Sequence, residues 1–167
     1  MNEALSRSGL YDRLISDLDA TLEGIDDAVA AMATVACLVF ERVPGTSFAG
    51  FYRRVAPGLL RIGPYQGPLG CLEIPFSRGV CGAAARERAT QLVPDVHAFP
   101  GHIACDEGAR SEIVVPVFDE RGEIAAVLDL DSRLPANFDD ADRDGLERLV
   151  RALARRLTHR PDSALPS

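Results

Sequence analysis

The chain of 167 residues carries 18 basic and 25 acidic side chains, for a net charge of −7, and 47% of its residues are apolar. This length suits one domain, the apolar fraction excludes general disorder, and the acidic balance without any Lys excludes nucleic acid as a partner. No apolar run approaches the roughly 18 residues that span a bilayer, and no basic region with an apolar core begins the chain, so we predict a cytoplasmic protein without membrane contact.

The first half of the chain predicts two helices and then three strands. Apolar side chains recur at helical spacing from Leu5 to Leu18 and again from about Asp26 to Arg42. Short strand-like runs follow at Ser47–Arg54, Leu59–Ile62 and Cys71–Ile74, and Pro57-Gly58 forms the first turn between them.

The second half predicts two helices and three further strands. An Ala-rich helix covers Gly79–Arg88, a brief strand follows at Gln91–Pro94, and Ile113–Phe118 forms a hairpin with Glu123–Asp129. The last helix runs from about Asp139 to Thr158, with an acidic first turn and an Arg-rich end that suit the helix dipole. We therefore predict an α+β fold whose N-terminal and C-terminal helices cover one face of a mainly antiparallel sheet. Residues 1–160 are expected to form one domain, and residues 161–167 a flexible tail.

One loop concentrates the reactive side chains. Asp95–Asp106 holds two imidazoles, one thiol and two carboxylates, and its Phe99-Pro100-Gly101 sequence favours a shaped loop over a helix or strand. Cys105 lies in this loop between His102 and Asp106, which predicts a functional thiol. His97, His102 and Cys105 are also residue types that zinc prefers, but a paired Cys-x2-Cys is lacking and a fourth ligand would have to come from elsewhere. We expect no metal.

The other three cysteines allow several interpretations. Without an export signal, permanent disulfides are not expected. Cys37 lies among apolar residues of a predicted helix, where a buried, inert thiol is expected. Cys81 is placed at the start of a helix, where the dipole lowers a thiol pKa, or it is an ordinary core residue. Cys71 opens a predicted strand and has no distinctive neighbours.

Carboxylates form a second group of candidates. Asp129 and Asp131 stand two residues apart at the end of an apolar run, so strand alternation puts both on the same face. Buried carboxylates without a cation are costly, although both side chains could instead emerge into solvent. Together with Glu112 they would form a patch of three carboxylates that suits an ammonium-bearing substrate and a proton donor.

Several segments together resemble the free methionine-(R)-sulfoxide reductase family, which consists of small GAF domains. The resemblance covers roughly residues 48–138 and rests on these segments: Gly50–Tyr52, Gly63–Gly67, Cys71, Ile74–Gly82, Val93–Asp106, Ser111–Pro116 and Val127–Ser132. It implies a six-stranded antiparallel sheet flanked by helices. It also implies reduction of free L-methionine-(R)-sulfoxide, with thioredoxin as the external reductant and no bound cofactor. Members of the family are often homodimers.

The resemblance also implies roles for individual residues. Cys105 is expected to be the nucleophile that becomes a sulfenic acid, Cys71 the residue that resolves it as a disulfide, and Cys81 a third redox cysteine. Glu112 is expected to protonate the sulfoxide oxygen, with Asp129 and Asp131 holding the substrate ammonium.

The implied substrate wall contains one departure from the family pattern. It comprises Phe48, Tyr52, Ile103 and Ala104, and Phe48 occupies a position where the family usually carries Trp. The competing interpretation is a non-catalytic GAF sensor domain that binds a small molecule. Such a sensor has no need of three cysteines together with Glu112.

Overall fold

The computed structural model describes residues 6–103 and 107–157. Two helices come first, α1 (Arg7–Thr21) and α2 (Ala28–Arg42). The remaining elements, in chain order, are β1 (Thr46–Ala56), β2 (Leu59–Gln66), β3 (Glu73–Pro75), α3 (Gly79–Glu87), β4 (Gln91–Val93), a 3-10 turn (Val96–Ala98), β5 (Ser111–Phe118), β6 (Ile124–Ser132) and α4 (Asp140–Leu157). The predicted tail at 161–167 lies outside the described residues.

The six strands form one antiparallel sheet in the order β3-β2-β1-β6-β5-β4, which confirms the predicted α+β class and the six-stranded sheet. The predicted end of the last strand at Asp129 was wrong. β6 continues to Ser132 because β1 and β5 flank it on both sides that far, pairing Thr46 and Ser111 with Ser132. Asp129 and Asp131 therefore lie inside a central strand rather than where it meets solvent.

The third strand is also shorter than predicted. It begins at Glu73, so Cys71 lies in the preceding loop and does not open a strand. The loop is nevertheless held at defined points. The Leu72 carbonyl accepts a hydrogen bond from the Ile62 amide at 3.0 Å, and a Cβ atom added to Gly70 would lie 2.6 Å from the Tyr52 hydroxyl. Only glycine permits this close approach at position 70.

Helices cover both faces of the sheet, whereas the sequence predicted cover on one face. α1, α2 and α4 pack on the first face against a cluster that includes Phe51, Ile113 and Leu128. α3 packs on the second face against a smaller cluster that includes Tyr52, Val114 and Val127. β6 is buried on both sides and reads as an almost continuous apolar run, which is why alternation was hard to see in its sequence.

Two further observations concern single elements. Cys37 is a free thiol in α2 and is only partly buried, so its expected burial was overstated. No helix among residues 6–103 and 107–157 is long and apolar enough to cross a membrane.

Candidate active site

Three carboxylates meet on the face of the sheet that α3 covers. Glu112 on β5 pairs directly with Asp131 on β6, and Val114 pairs with Asp129 two residues further along. Residues paired in this way present their side chains to the same face, and alternation keeps Glu112, Asp129 and Asp131 together there. All three side chains are buried. The alternative in which the two aspartates emerge into solvent is therefore wrong.

The start of α3 brings a thiol to the carboxylates. Gly79, the first residue of α3, has a φ of +70°, a conformation that residues with a Cβ rarely adopt. Its amide donates a hydrogen bond to the Gly101 carbonyl at 3.0 Å, and the Ile103 side chain would lie 3.3 Å from an added Cβ. This glycine thus links the start of α3 to Gly101 and Ile103 of the loop that concentrates the reactive side chains.

Cys81, Glu112 and Asp129 form one compact cluster. Their ligand atoms, the Cys81 sulfur and one oxygen from each carboxylate, all lie within 4.8 Å of one another. Burial, followed by the negative charges of Asp129 and Asp131, raises the pKa of Glu112 well above its ordinary value. Burial also raises the pKa of Asp129 to about 7, although hydrogen bonds from Cys81 and Glu112 act in the opposite direction. The raised pKa favours the protonated carboxyl of Glu112, which donates a hydrogen bond to Asp129.

Of the two interpretations of Cys81, the buried core thiol agrees with the structure and the thiol with a lowered pKa does not. Burial raises the pKa of this thiol well above its ordinary value, and the charges of Asp129, Glu112 and Asp131 act in the same direction. A helix terminus contributes only about 0.3–1 kcal/mol at exposed sites, whereas full burial shifts a pKa by up to about 3–5 units. Desolvation therefore dominates, and Cys81 is a protonated thiol at neutral pH that donates a hydrogen bond to Asp129.

One oxygen of the cluster has no partner. Within the described part of the chain, Asp129 Oδ1 is buried and makes no hydrogen bond. Asp129 lines a pocket of about 20 Å³, enough for one group the size of a water molecule. The other lining residues are Ile74, Gly79, Val80, Cys81, His102, Ile103, Ala109, Glu112 and Asp131. A buried carboxylate oxygen facing such a pocket is suited to a small cationic donor.

The expected substrate wall is only partly at this pocket. Ile103 lines it, while Ala104 and Cys105 lie outside the described residues. Phe48 and Tyr52 are buried in the apolar cluster beside α3, and neither is among the residues that line the pocket. Phe48 pairs with Asp131 across the β1–β6 ladder and stacks on Tyr65 with ring centroids 5.6 Å apart. These two aromatic residues therefore lie on β1 beside the carboxylate-bearing strand β6, in the apolar cluster next to the pocket.

The Cys71 sulfur is engaged in a disulfide, whereas Cys37 and Cys81 are free thiols. Cys71 is partly buried. Two leucines of the same loop are highly exposed, Leu69 at 80% and Leu72 at 70%. The loop bearing Cys71 is thus an accessible part of the molecule.

The two histidines of the reactive loop lie near each other. The His97 and His102 rings meet edge to face with centroids 6.4 Å apart. Burial and the proximity of His97 lower the pKa of His102, which lines the pocket. Cys105, the third residue of the ligand set that the sequence spacing allowed, lies outside the described residues.

Sequence reasoning missed several residues of the pocket. Ile74, Val80 and Ala109 form its apolar wall, and His102 adds a polar edge. Ile74 and Val80 lie within the segment Ile74–Gly82 that carries the family resemblance, so the signal was present. It could not indicate which side chains of the segment turn toward the carboxylates, because this depends on the positive φ of Gly79.

The chain is similar to known proteins over most of its length. The family described as GAF domain matches residues 17–158. Free methionine-R-sulfoxide reductase of Escherichia coli is 39% identical over 149 residues, covering 89% of each chain. The Saccharomyces cerevisiae protein of the same name is 34% identical and covers 89% of this chain and 86% of its own. The crystal structure of free methionine-R-sulfoxide reductase from Neisseria meningitidis with its substrate has a TM-score of 0.87 at 39% identity, covering 93% and 92% of the two chains.

Proposed function

Because this chain belongs to the GAF-domain family, and to the branch of it that contains the E. coli and yeast free methionine-R-sulfoxide reductases, we propose that it reduces free L-methionine-(R)-sulfoxide to L-methionine. The observation that carries the proposal is the cluster of three buried carboxylates at one small pocket, with Asp129 Oδ1 lacking a hydrogen-bond donor among the described residues. A free amino acid brings the ammonium group that this oxygen requires.

The ammonium group of the substrate binds at Asp129 and Asp131. Both side chains are buried on the same face of β6, and the pocket beside them has room for one water-sized group. An ammonium donates up to three hydrogen bonds and brings a positive charge to a cluster whose own charges repel each other. Binding therefore offsets the cost of burying these carboxylates, and a substrate without a free ammonium leaves that cost in place.

Glu112 supplies the proton for the sulfoxide oxygen. Its pKa is raised well above the ordinary value by burial and by Asp129 and Asp131, which favours the protonated carboxyl that this role needs. A general acid must be protonated at the working pH and lie within reach of the reacting group. Glu112 lines the same pocket as the two aspartates, which supports its assignment to this role.

Two cysteines carry the redox chemistry, and the third redox cysteine expected at position 81 takes a different role. The Cys105 thiolate attacks the sulfoxide sulfur while the oxygen is protonated, which releases methionine and leaves a cysteine sulfenic acid. The Cys71 thiol then condenses with the sulfenic acid, losing water and forming a disulfide. A disulfide at Cys71 supports this resolving role. Cys81 is protonated and buried, so it serves as a hydrogen-bond donor to Asp129 and not as the nucleophile.

Thioredoxin returns the enzyme to its dithiol form. Its two thiols donate two electrons to the disulfide, so each cycle converts one sulfoxide and one reduced thioredoxin into methionine, oxidised thioredoxin and water. The exposed Leu69 and Leu72 beside Cys71 support docking of a protein reductant at this loop. This cycle requires no bound metal or organic cofactor, and it suits the cytoplasm, where thioredoxin keeps thiols reduced.

The test combines a coupled assay with single-turnover measurements. We expect NADPH oxidation by thioredoxin and its reductase to depend on the R epimer of free methionine sulfoxide and to be negligible with the S epimer. Without thioredoxin, the reduced protein should release one methionine per chain. Cys105→Ser should release none, and Cys71→Ser should release one but fail to be recycled.

Cys37→Ser is the matched control, because Cys37 lies in α2 away from the carboxylate cluster, and it should retain full turnover. Binding of methionine sulfoxide without any methionine release would identify the protein as a sensor domain. If Cys81→Ser abolishes the first methionine while Cys105→Ser retains it, the nucleophile assignment is wrong.

A further inference from the structure

The cluster formed by Cys81, Glu112 and Asp129 contains the donor types of a zinc site. One sulfur and two carboxylate oxygens lie within 4.8 Å of one another. Three ligand atoms that surround a central ion at about 2.0–2.3 Å are separated by distances of this order or less. Zinc accepts both thiolate and carboxylate ligands, and three protein ligands with one open position are a common arrangement.

Two further observations point to a small cation. Asp129 lines the pocket, and its Oδ1 atom is buried and has no hydrogen-bond donor among the described residues. The pocket volume of about 20 Å³ admits one water-sized group, which matches a single dehydrated metal ion. Asp131 pairs with Glu112 across the β5–β6 ladder and adds a further negative charge on the same face of the sheet.

We propose that Zn²⁺ binds to Cys81, Glu112 and Asp129 and inhibits the protein by occupying the pocket that receives the substrate ammonium. The binding part of this inference stands on the cluster geometry alone, and the inhibition rests on the proposed reductase function. Zn²⁺ displaces the thiol proton of Cys81 and the carboxyl proton of Glu112, which are released to solvent. Mg²⁺ is excluded because it prefers oxygen ligands and retains much of its hydration shell.

The binding test uses a full-length chain in which Cys37, Cys71 and Cys105 are all replaced by Ser, so that Cys81 is its only thiol. Titration with Co²⁺, a spectroscopic substitute for Zn²⁺, should produce a thiolate-to-metal absorption band that saturates at one ion per chain. Added Zn²⁺ should remove the band, and Mg²⁺ should not. Absence of a thiolate band in this folded chain overturns the proposal.

Carboxylate ligation is tested in the same background. Glu112→Gln and Asp129→Asn should each weaken Zn²⁺ binding by at least about tenfold, the size of effect that loss of a supporting group has at metal sites. Glu120→Gln, on the exposed β5–β6 turn, is the matched control and should leave the affinity unchanged. Circular dichroism reports whether each variant is folded. Unchanged affinity in both folded cluster variants overturns the proposal.

Competition links the metal to catalysis. In the wild-type protein, Zn²⁺ should raise the apparent KM for free methionine-(R)-sulfoxide, and in the Cys81-only chain the sulfoxide should weaken Zn²⁺ binding. Zinc binding that is indifferent to the sulfoxide overturns the inhibitory part. If the wild-type protein shows no reductase turnover while zinc binding at the cluster is intact, the proposed function is contradicted and the zinc site is not. The two failures are therefore distinguishable.

Discussion

Burial decides the chemistry of individual residues at this site more than their local sequence does. Glu112 follows Ser111 at the start of a strand, and nothing in those neighbours distinguishes it from a solvated glutamate. Its pKa is raised because β6 places Asp129 and Asp131 beside it in a buried pocket. The same environment decides between the two interpretations of Cys81, where the helix dipole is outweighed by desolvation and by the neighbouring carboxylates.

Glu112→Gln tests the role of this proton. The amide retains the size of the side chain but cannot deliver a proton, so the single-turnover rate at saturating free methionine-(R)-sulfoxide should fall by about a hundred- to ten-thousand-fold. The KM should change much less, since proton transfer matters chiefly in the transition state. Rapid-quench measurement of methionine release gives this rate. A decrease of less than about threefold would remove Glu112 from the mechanism and leave Asp129 or Asp131 as the proton source.

The site residues predicted from the sequence agree in part with those that the structure brings together. Glu112, Asp129 and Asp131 could be predicted because strand periodicity fixes which face a side chain occupies. The pocket residues Val80 and Ala109 could not, since their positions depend on how α3 and the loop before β5 cross the sheet. Phe48 and Tyr52 are buried beside α3 and do not line the pocket, which follows from a ladder register that the sequence leaves open, and their assignment to the substrate wall stays a prediction.

At the scale of elements, register and glycine contacts position the site. The β5–β6 pairing aligns Glu112 with Asp131, and the β1–β6 pairing sets Gly50 opposite Asp129. Helices and most strands were predicted to within a few residues, because their apolar periodicity is strong. The extension of β6 to Ser132 and the shortness of β3 were missed, since both depend on which neighbouring strands continue alongside.

The loop before β3 is the expected docking site for thioredoxin. Gly70 packs closely against Tyr52, and the Leu72 carbonyl is hydrogen-bonded to Ile62, so the loop is held while Leu69 and Leu72 remain exposed. We expect the double substitution Leu69→Ser and Leu72→Ser to raise the KM for thioredoxin about tenfold, as loss of apolar contact at an interface does. Single-turnover release of methionine should be unchanged, because it does not require the reductant.

Ile25→Ser is the matched control, since Ile25 is also an exposed large apolar residue but lies between α1 and α2. It should leave the KM for thioredoxin unchanged. An unaltered KM in the leucine variant would contradict docking at this loop. A change of oligomeric state in that variant, measured by light scattering, would assign the two leucines to contact with a second copy of the chain.

At the scale of the whole molecule, the buried carboxylates make stability depend on pH. The pKa of Asp129 is raised from 3.8 to about 7, so between these values the folded state holds a proton that the unfolded state has lost. The free energy of unfolding therefore decreases as pH rises through this window, by about 1.4 kcal/mol per pH unit for each such proton. The stability that the folded state gains by holding this proton on Asp129 is fully present below pH 3.8 and lost above about pH 7.

Urea unfolding at several pH values between about 4 and about 7 measures this dependence. Asp129→Asn removes the titrating group and lowers the repulsion that raises the pKa of Glu112, so its unfolding free energy should decrease less steeply than that of the wild type. The difference between the two slopes isolates the cluster from other titrating groups. Identical slopes would mean that Asp129 titrates near its ordinary pKa and that the cluster is less desolvated than its burial indicates.

The central claim is that the carboxylate cluster recognises the ammonium of a free amino acid, and substrate selectivity tests it most directly. The measurement is methionine formation from free L-methionine-(R)-sulfoxide compared with the same sulfoxide acetylated at its amine and amidated at its carboxyl group. Capping removes both charges and leaves Asp129 Oδ1 without the ammonium donor, so kcat/KM for the capped compound should be lower by several powers of ten. Equal kcat/KM for the free and capped sulfoxides would contradict this account.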